Sequence, residues 1–190
     1  LTVNPELFLK QLETLSRHYK FIVADLGNDL KDFQMALLQE TTAVVIVTVP
    51  EVLVINQTQR LIHELLTATF PMEMFQLVVN KVTPSGVNPQ AISQSLRLPI
   101  MGMIPQDDVT TMGSLQRGTP FVISQNKSPI SMAYHDVVRK ITGGPLQRLK
   151  TLSRPQSTAI NQNSAGGELS SAATSSALDV RTALKIRVHT

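Results

Sequence analysis

Asp25 closes a short apolar run, Phe21-Ile22-Val23-Ala24, and is followed by Leu26-Gly27-Asn28. A carboxylate at the end of a buried strand can hold Mg²⁺, directly or through water. A glycine two residues on lets the backbone approach a γ-phosphate. The same residues also make an ordinary turn, with Asp25 and Asn28 stabilising it. Three further apolar runs end in polar or turn residues: Thr48-Val49-Pro50-Glu51, Asn80-Lys81 and Pro105-Gln106-Asp107. In open parallel sheets, ligands bind beyond the carboxyl ends of the strands, so these four segments are the candidate site. Other chemistries find no support. The chain has no cysteine, which removes thiolate metal sites and cysteine nucleophiles. His18, His63, His135 and His189 have no ligand spacing among themselves or to clustered acids. No G-x-S-x-G elbow occurs. Asp107-Asp108 reads as acid at a helix start rather than as a catalytic carboxylate pair.

The elements that would position these residues follow from periodicity. Asn4-Pro5-Glu6 is a helix start, and Phe8, Leu12 and Leu15 continue it at helical spacing. Asp29 is placed to cap a second helix carrying Phe33, Ala36 and Leu37. Ala43 to Val49 is a continuous apolar and β-branched run stopped by Pro50, the pattern of a central parallel strand buried on both faces. A long amphipathic helix follows, with Leu61, Ile62, Leu65 and Leu66 on one face. Phe75 to Val79 is the third strand and Ile100 to Ile104 the fourth. Helices start at Asn88-Pro89, Asp107-Asp108 and Ser128-Pro129. Strands alternating with helices at this spacing predict an α/β fold: a mostly parallel sheet in three αβα layers, helices on both faces.

Taken together, these strand ends carry a resemblance. Tyr19-Lys20-Phe21-Ile22-Val23-Ala24-Asp25, Thr48-Val49-Pro50-Glu51, Val78-Val79-Asn80-Lys81, Pro99 through Asp107, and Arg117-Gly118-Thr119-Pro120 resemble, in this order, the second half of a MinD/ParA-type P-loop ATPase. The likeness runs from Leu1 to about Ile141. The Asp-Leu-Gly ending is similar to the CpaE/TadZ-like branch of Tad (Flp) pilus assembly. The resemblance implies roles at matching positions. Asp25 corresponds to the aspartate that holds the Mg²⁺ water shell, and Gly27 lies in the loop that senses the γ-phosphate. Asn80 corresponds to the residue whose amide reads the adenine edge. Pro105, Gln106 and Asp107 correspond to the loop packed around the base. ATP and Mg²⁺ are the implied cofactors. The implied activity is a nucleotide-gated dimer serving pilus assembly or type II/IV-like secretion. Its implied partners are a motor ATPase and inner-membrane assembly proteins. The implied location is the cytoplasm, peripheral at the inner membrane or cell pole. The alternative is a non-catalytic scaffold of the same fold that positions the secretion machinery.

The departures bear on activity. No G-x-x-x-x-G-K-[ST] sequence, nor its two-lysine variant, occurs between Leu1 and Thr190. The resemblance therefore places the phosphate loop N-terminal to Leu1, and these residues alone are expected not to hydrolyse ATP. The turn after the aspartate, which in the family often contains proline, is here Leu26-Gly27-Asn28.

Of the 190 residues, 42% are apolar and 16% charged, the balance of a core-forming chain. No apolar run reaches the about 18 residues of a membrane-spanning helix. Aromatics are 4%, too few for a base-stacking platform. Residues 1–144 hold 11 Lys and Arg against 12 Asp and Glu, whereas residues 145–190 hold 6 against 2, so the positive charge lies in the tail. That tail has no dense basic cluster, and no nucleic-acid partner is expected. The predicted organisation is an ATPase-like portion over 1–144 and a flexible linker over 145–177, rich in Ser, Thr, Ala and Gln. Residues 178–190 are expected to start a second, helical segment through Leu178, Leu184 and Val188. Its Leu184-Lys185-Ile186-Arg187-Val188-His189 is similar to the opening helix of CpaF-type secretion ATPases, and any downstream amphipathic helix would read alike. Leu146, Leu149 and Leu152 with Arg148, Lys150 and Arg154 form a short basic amphipathic stretch, the one candidate for peripheral membrane contact.

Overall fold

The computed structural model describes residues 4–27, 30–143 and 182–187. Asn4 caps the first helix, α1 (Pro5–Ser16), its side-chain oxygen accepting the amides of Glu6 and Leu7 at 3.0 and 3.4 Å. Two of the helix's otherwise orphaned donors are thereby satisfied. Strand β1 (Ile22–Asp25) follows, then α2 (Asp32–Gln39). The helix does not start at an Asp29 cap. It begins at Asp32, with Lys31 in the cap position and no side-chain cap bond. Packing sets this start: Phe33 meets the Phe8 ring edge-on at 5.1 Å, and Leu37 and Leu38 are buried. Asp29 lies outside the described residues.

The remaining elements are β2 (Ala43–Thr48), α3 (Val52–Thr67), β3 (Phe75–Val82), α4 (Pro89–Leu96), β4 (Ile100–Pro105), α5 (Asp108–Arg117), α6 (Phe121–Ser124), α7 (Pro129–Gly143) and β5 (Thr182–Arg187). All six residues of β2 are buried, as its unbroken apolar run requires. Side chains alternate across a strand, so the run splits between two cores. Val44 and Ile46 join Leu12, Leu38, Val54, Leu65 and Ile92, under α1 to α4. Val45 and Val47 join Val78, Met101, Ile130 and Val137, under α7. The predicted three layers are the observed ones.

Among the described residues the sheet has five strands in the order β1-β5-β2-β3-β4, and every pairing is parallel. The position of β5 differs from the helix expected over 178–190. The described part of that segment, Thr182–Arg187, is a strand inside this sheet, paired with β1 on one side and β2 on the other, and the rest of it lies outside the described residues. The physical reason is visible in Leu184-Lys185-Ile186-Arg187, where apolar and charged residues alternate with period two, the pattern of a strand. The helical spacing of Leu178, Leu184 and Val188 is sparser. The linker over 145–177 and the basic stretch from Leu146 to Arg154 lie outside the described residues.

Two irregularities bend the β3–β4 pair. Leu77 pairs with Ile100 but Val78 with Gly102, which leaves Met101 as an extra residue on β4. The Met101 carbonyl accepts the Lys140 ammonium of α7 at 2.9 Å. Val79 pairs with Met103 but Val82 with Pro105, which makes Asn80-Lys81 a bulge on β3. Such bulges re-aim side chains at strand ends.

Candidate functional site

The carboxyl edge of the sheet gathers the candidate residues into two groups. The first is on β1. Asp25 is its last residue and is exposed. One carboxylate oxygen accepts the Gly27 amide at 3.3 Å, which closes an Asx turn. Gly27 has φ +67, and a Cβ there would meet nothing within 4 Å. Glycine is required by the backbone angle, not by crowding. Leu26, between them, is buried and anchors the turn to the core. The turn reading of Asp25 is therefore realised, and it leaves the second carboxylate oxygen without a hydrogen bond among the described residues.

The second group sits on β3 and β4. The strand runs on through Asn80 to Val82, past the end expected at Val79. Asn80 is half-buried in the bulge, and Lys81 beside it has φ +54, unusual for a residue with a side chain. Backbone in this region costs energy and persists only where its surroundings impose it. The Gln106 amide donates to the Val82 carbonyl at 3.1 Å, bringing Pro105-Gln106-Asp107 against the bulge. The Gln106 side-chain amide donates to Asp108 at 2.8 Å. Asp107 is the N-cap of α5, and its carboxylate accepts the Thr110 amide at 2.9 Å. Hydrogen bonding from Thr110, side chain then backbone, holds its carboxyl below the ordinary carboxylate range. The Asp107 carboxylate is thus occupied within its own helix. What this loop offers a ligand is mainly backbone and the exposed Gln106.

The two groups face the same edge. Between β1 and β3 lie three inter-strand spacings, roughly 14 Å at about 4.8 Å each. That is the scale of an extended nucleotide rather than of a small metabolite. The intervening floor is stiff. Thr48, at the end of β2, is fully buried and shares a 2.9 Å hydrogen bond with the Thr58 hydroxyl of α3, which also donates to the Val54 carbonyl at 2.7 Å. Val87 donates to the Pro50 carbonyl at 3.0 Å. A Cβ on Gly86 would lie 2.9 Å from Pro50 Cγ, so the 83–87 loop reaches β2 only because residue 86 is glycine. Sequence reasoning misses Thr48–Thr58 and Gly86–Pro50. The Thr-Pro-Ser-Gly composition of 83–86 is the available signal for the second. The bulge at Asn80-Lys81 carries no comparable signature.

No group of three or more metal-ligating side chains occurs among the described residues. One exposed carboxylate with an open oxygen fits a Mg²⁺ ion that takes its other ligands from water and phosphate. It does not fit a metal caged wholly by protein. No described helix is long and apolar enough to cross a membrane.

No protein-family profile matches the chain. Among curated proteins, the septum site-determining protein MinD of Synechocystis is 25% identical over 148 residues, covering 74% of this chain and 54% of the relative. The chain thus spans about half the length of that relative. A ParA family ATPase from Chlorobium tepidum superposes with a TM-score of 0.64 at 22% identity, covering 69% of this chain and 55% of the other. A MinC:MinD cell division complex from Aquifex aeolicus gives 0.65 at 22% identity, covering 86% and 64%. MinD from Pyrococcus horikoshii, solved with Mg-ADP, gives 0.60 at 22% identity, covering 75% and 59%. The fold is that of the MinD/ParA P-loop ATPases.

Proposed function

We propose that this chain carries the metal-carboxylate and base-reading part of a MinD/ParA-type, ATP-dependent switch, in the CpaE/TadZ-like setting of pilus or secretion assembly. One observation carries the reading: the Asp25–Gly27 turn and the Asn80 bulge with its Pro105–Gln106 loop lie on one carboxyl edge, a nucleotide's length apart. The Mg-ADP held by the Pyrococcus relative and the MinC bound to the Aquifex one support nucleotide binding and partner exchange as the use of such an edge.

Each residue has a definite part. Asn80, held half-buried, offers an amide that both donates and accepts, which suits the edge of a purine. Pro105 and Gln106 form the adjoining wall, fixed by the Gln106–Val82 hydrogen bond. Gly27 presents backbone without a side chain toward the phosphate end. Asp25, oriented by the Gly27 amide, would hold Mg²⁺ through its open oxygen, and a bound Mg²⁺ would offset phosphate charge. Binding to one state of the protein and not the other shifts the population between them, the basis of a nucleotide-gated dimer. Such a dimer would act at the inner membrane or cell pole and hand its state to a secretion motor. Residues 1–190 contain no phosphate-loop lysine motif, so this chain alone does not turn over ATP.

The test uses the full-length protein. Asp25→Ala weakens Mg-ATP-dependent dimerisation by about tenfold or more, or about 1.4 kcal/mol, read by sedimentation at varied nucleotide. Dimerisation that is unchanged in the variant would leave a scaffold that binds its partners regardless of nucleotide.

A further inference from the structure

Helix α5 turns its large apolar residues to solvent. Val109 and Leu115 are 87% and 76% exposed, more than any other large apolar side chain among the described residues, and Met112 between them is 55% exposed. The three recur every third residue and so share one face. The inward side carries the buried Thr110 and the half-buried Thr111, Gly113 and Ser114. Its hydroxyls are satisfied locally: Ser114 donates to the Thr119 carbonyl at 2.7 Å, and Thr111 to the Asp107 carbonyl at 2.8 Å. Seating α5 beside β4 therefore uses none of its large apolar residues. An apolar stripe in water with a polar rim is the pattern of a contact surface.

The stripe is symmetric about Met112. Three residues away on either side stand Val109 and Leu115, and four residues away the exposed Asp108 and Gln116. The acids Asp107 and Asp108 are at the start of the helix, and Arg117, its one basic residue, is in the last turn. The Arg117 guanidinium rests against Gly113 and has no acidic partner among the described residues. Two such helices set antiparallel bring Val109 of one copy to Leu115 of the other, and Asp108 to Gln116, whose amide can donate to it. Each acidic start then faces the other copy's basic end, and the helix dipoles oppose. A parallel pair would set acid against acid. The same two aspartates disfavour an anionic membrane surface as the occupant.

We propose that the Val109-Met112-Leu115 stripe is a self-complementary contact with a second copy of this chain, the two α5 helices antiparallel across a two-fold axis at Met112. The surface lies at the β4 end of the sheet, whereas Asp25 is on β1 at the other end, so the contact forms without nucleotide. It gives the chain a second mode of pairing beside the nucleotide-gated one proposed above. Three apolar side chains make a small contact, of the weak and transient class.

The chain has no cysteine, so a single introduced one reports on this contact alone. Full-length protein carrying Met112→Cys, without nucleotide, is expected to form a disulfide-linked dimer on mild oxidation, because the axis sets that position against itself at a span a disulfide can bridge. Val109→Cys and Leu115→Cys proteins are expected to cross-link several times faster when mixed than either does alone, the signature of the antiparallel register. In the cysteine-free chain, Leu115→Glu is expected to weaken self-association about tenfold or more by sedimentation. Its urea midpoint is expected to stay unchanged, since the side chain faces water in the single copy. A single copy at every concentration, with no Met112→Cys cross-link, overturns the proposal. A Leu115→Glu variant that lowers the urea midpoint of a single copy shows a cover from within the same chain, and one that abolishes flotation with phosphatidylglycerol vesicles shows a membrane. Either result overturns the second copy as occupant. A cross-link that needs Mg-ATP and is lost on adding Asp25→Ala belongs to the nucleotide-gated dimer and refutes a separate contact. A cross-link that persists while Asp25→Ala leaves Mg-ATP-dependent dimerisation unchanged refutes the Asp25 reading alone.

Discussion

The two ends of the sheet are built differently. At the β3–β4 end, strands follow one another in sequence and are bolted to their covering helix: Lys140 reaches the Met101 carbonyl, Val137 presses on Gly102, and Ser131 is wholly buried with its hydroxyl donating to the Phe121 carbonyl at 3.2 Å. At the other end, among the described residues β1 pairs with β5 alone, a strand separated from α7 by the 38 residues 144–181. One face of β1 is open, as the exposure of Val23 shows. The β3–β4 end, proposed above to read a base, is preformed by local sequence. The carboxylate end depends on a strand arriving from a distance. In the proposed switch this division would keep the part that recognises rigid while the part that responds is assembled conditionally.

The widest separation between the two ends is expected in native-state hydrogen exchange. Among the described residues, strand β1 is an edge strand paired on one side, with β5, and open on one face, whereas β3 is paired on both sides. The amides of Ile22–Asp25 are therefore expected to exchange about tenfold or more faster than those of Leu77–Val79, a gap of about 1.4 kcal/mol or more in opening free energy. Equal protection at the two ends would erase the contrast and make the sheet one cooperative unit.

The locked end can be loosened by a single methyl group. An alanine Cβ at position 102 would lie 2.3 Å from Val137 Cγ2, inside any permissible contact. Val137 is buried and β-branched, so it has little rotamer freedom with which to yield. Gly102→Ala is expected to lower stability by about 2 kcal/mol through overpacking, seen as a shifted urea midpoint. An unchanged midpoint would mean that α7 rides loosely on the sheet and that the end is not rigid.

How much of this is legible in the sequence follows the same division. The Asn4 and Asn88-Pro89 helix starts, the doubly buried β2 and the alternation of strands and helices are all readable, because local propensity and packing agree there. The placement of β5 is not, although Leu184-Lys185-Ile186-Arg187 spells a strand. Six residues after a long polar stretch carry no hint of which neighbours they will meet, and a helical spacing of three apolar residues competes for the same segment. Asp25, Gly27, Asn80 and Pro105 to Asp107 stand out as candidates because strand ends are visible in sequence, and the structure places them at those ends. The bulge that turns Asn80, and the positive φ of Lys81, depend on the β3–β4 register, which no local pattern encodes.

The finest contrast between the ends is electrostatic. Asp107, in the loop beside the Asn80 bulge, has its carboxyl held low by hydrogen bonds from Thr110, which favour the charged form in the folded state. An unfolded aspartate titrates near 3.9. The sign follows from linkage: the group's contribution is fully present above that unfolded value and is lost as pH falls through the lower folded one. Asp136 on α7, lowered first by Lys140 and then by Arg139, behaves alike at the same end of the sheet. Asp107→Asn keeps an oxygen that can accept the Thr110 amide but cannot titrate. Urea midpoints of the unsubstituted chain should therefore fall more steeply below about pH 4 than those of the variant, with the two converging in slope at about pH 6. Parallel curves over the whole range would show that the Asp107 cap is made as well by the neutral acid, and that the carboxylate is not what fixes the loop beside the Asn80 bulge.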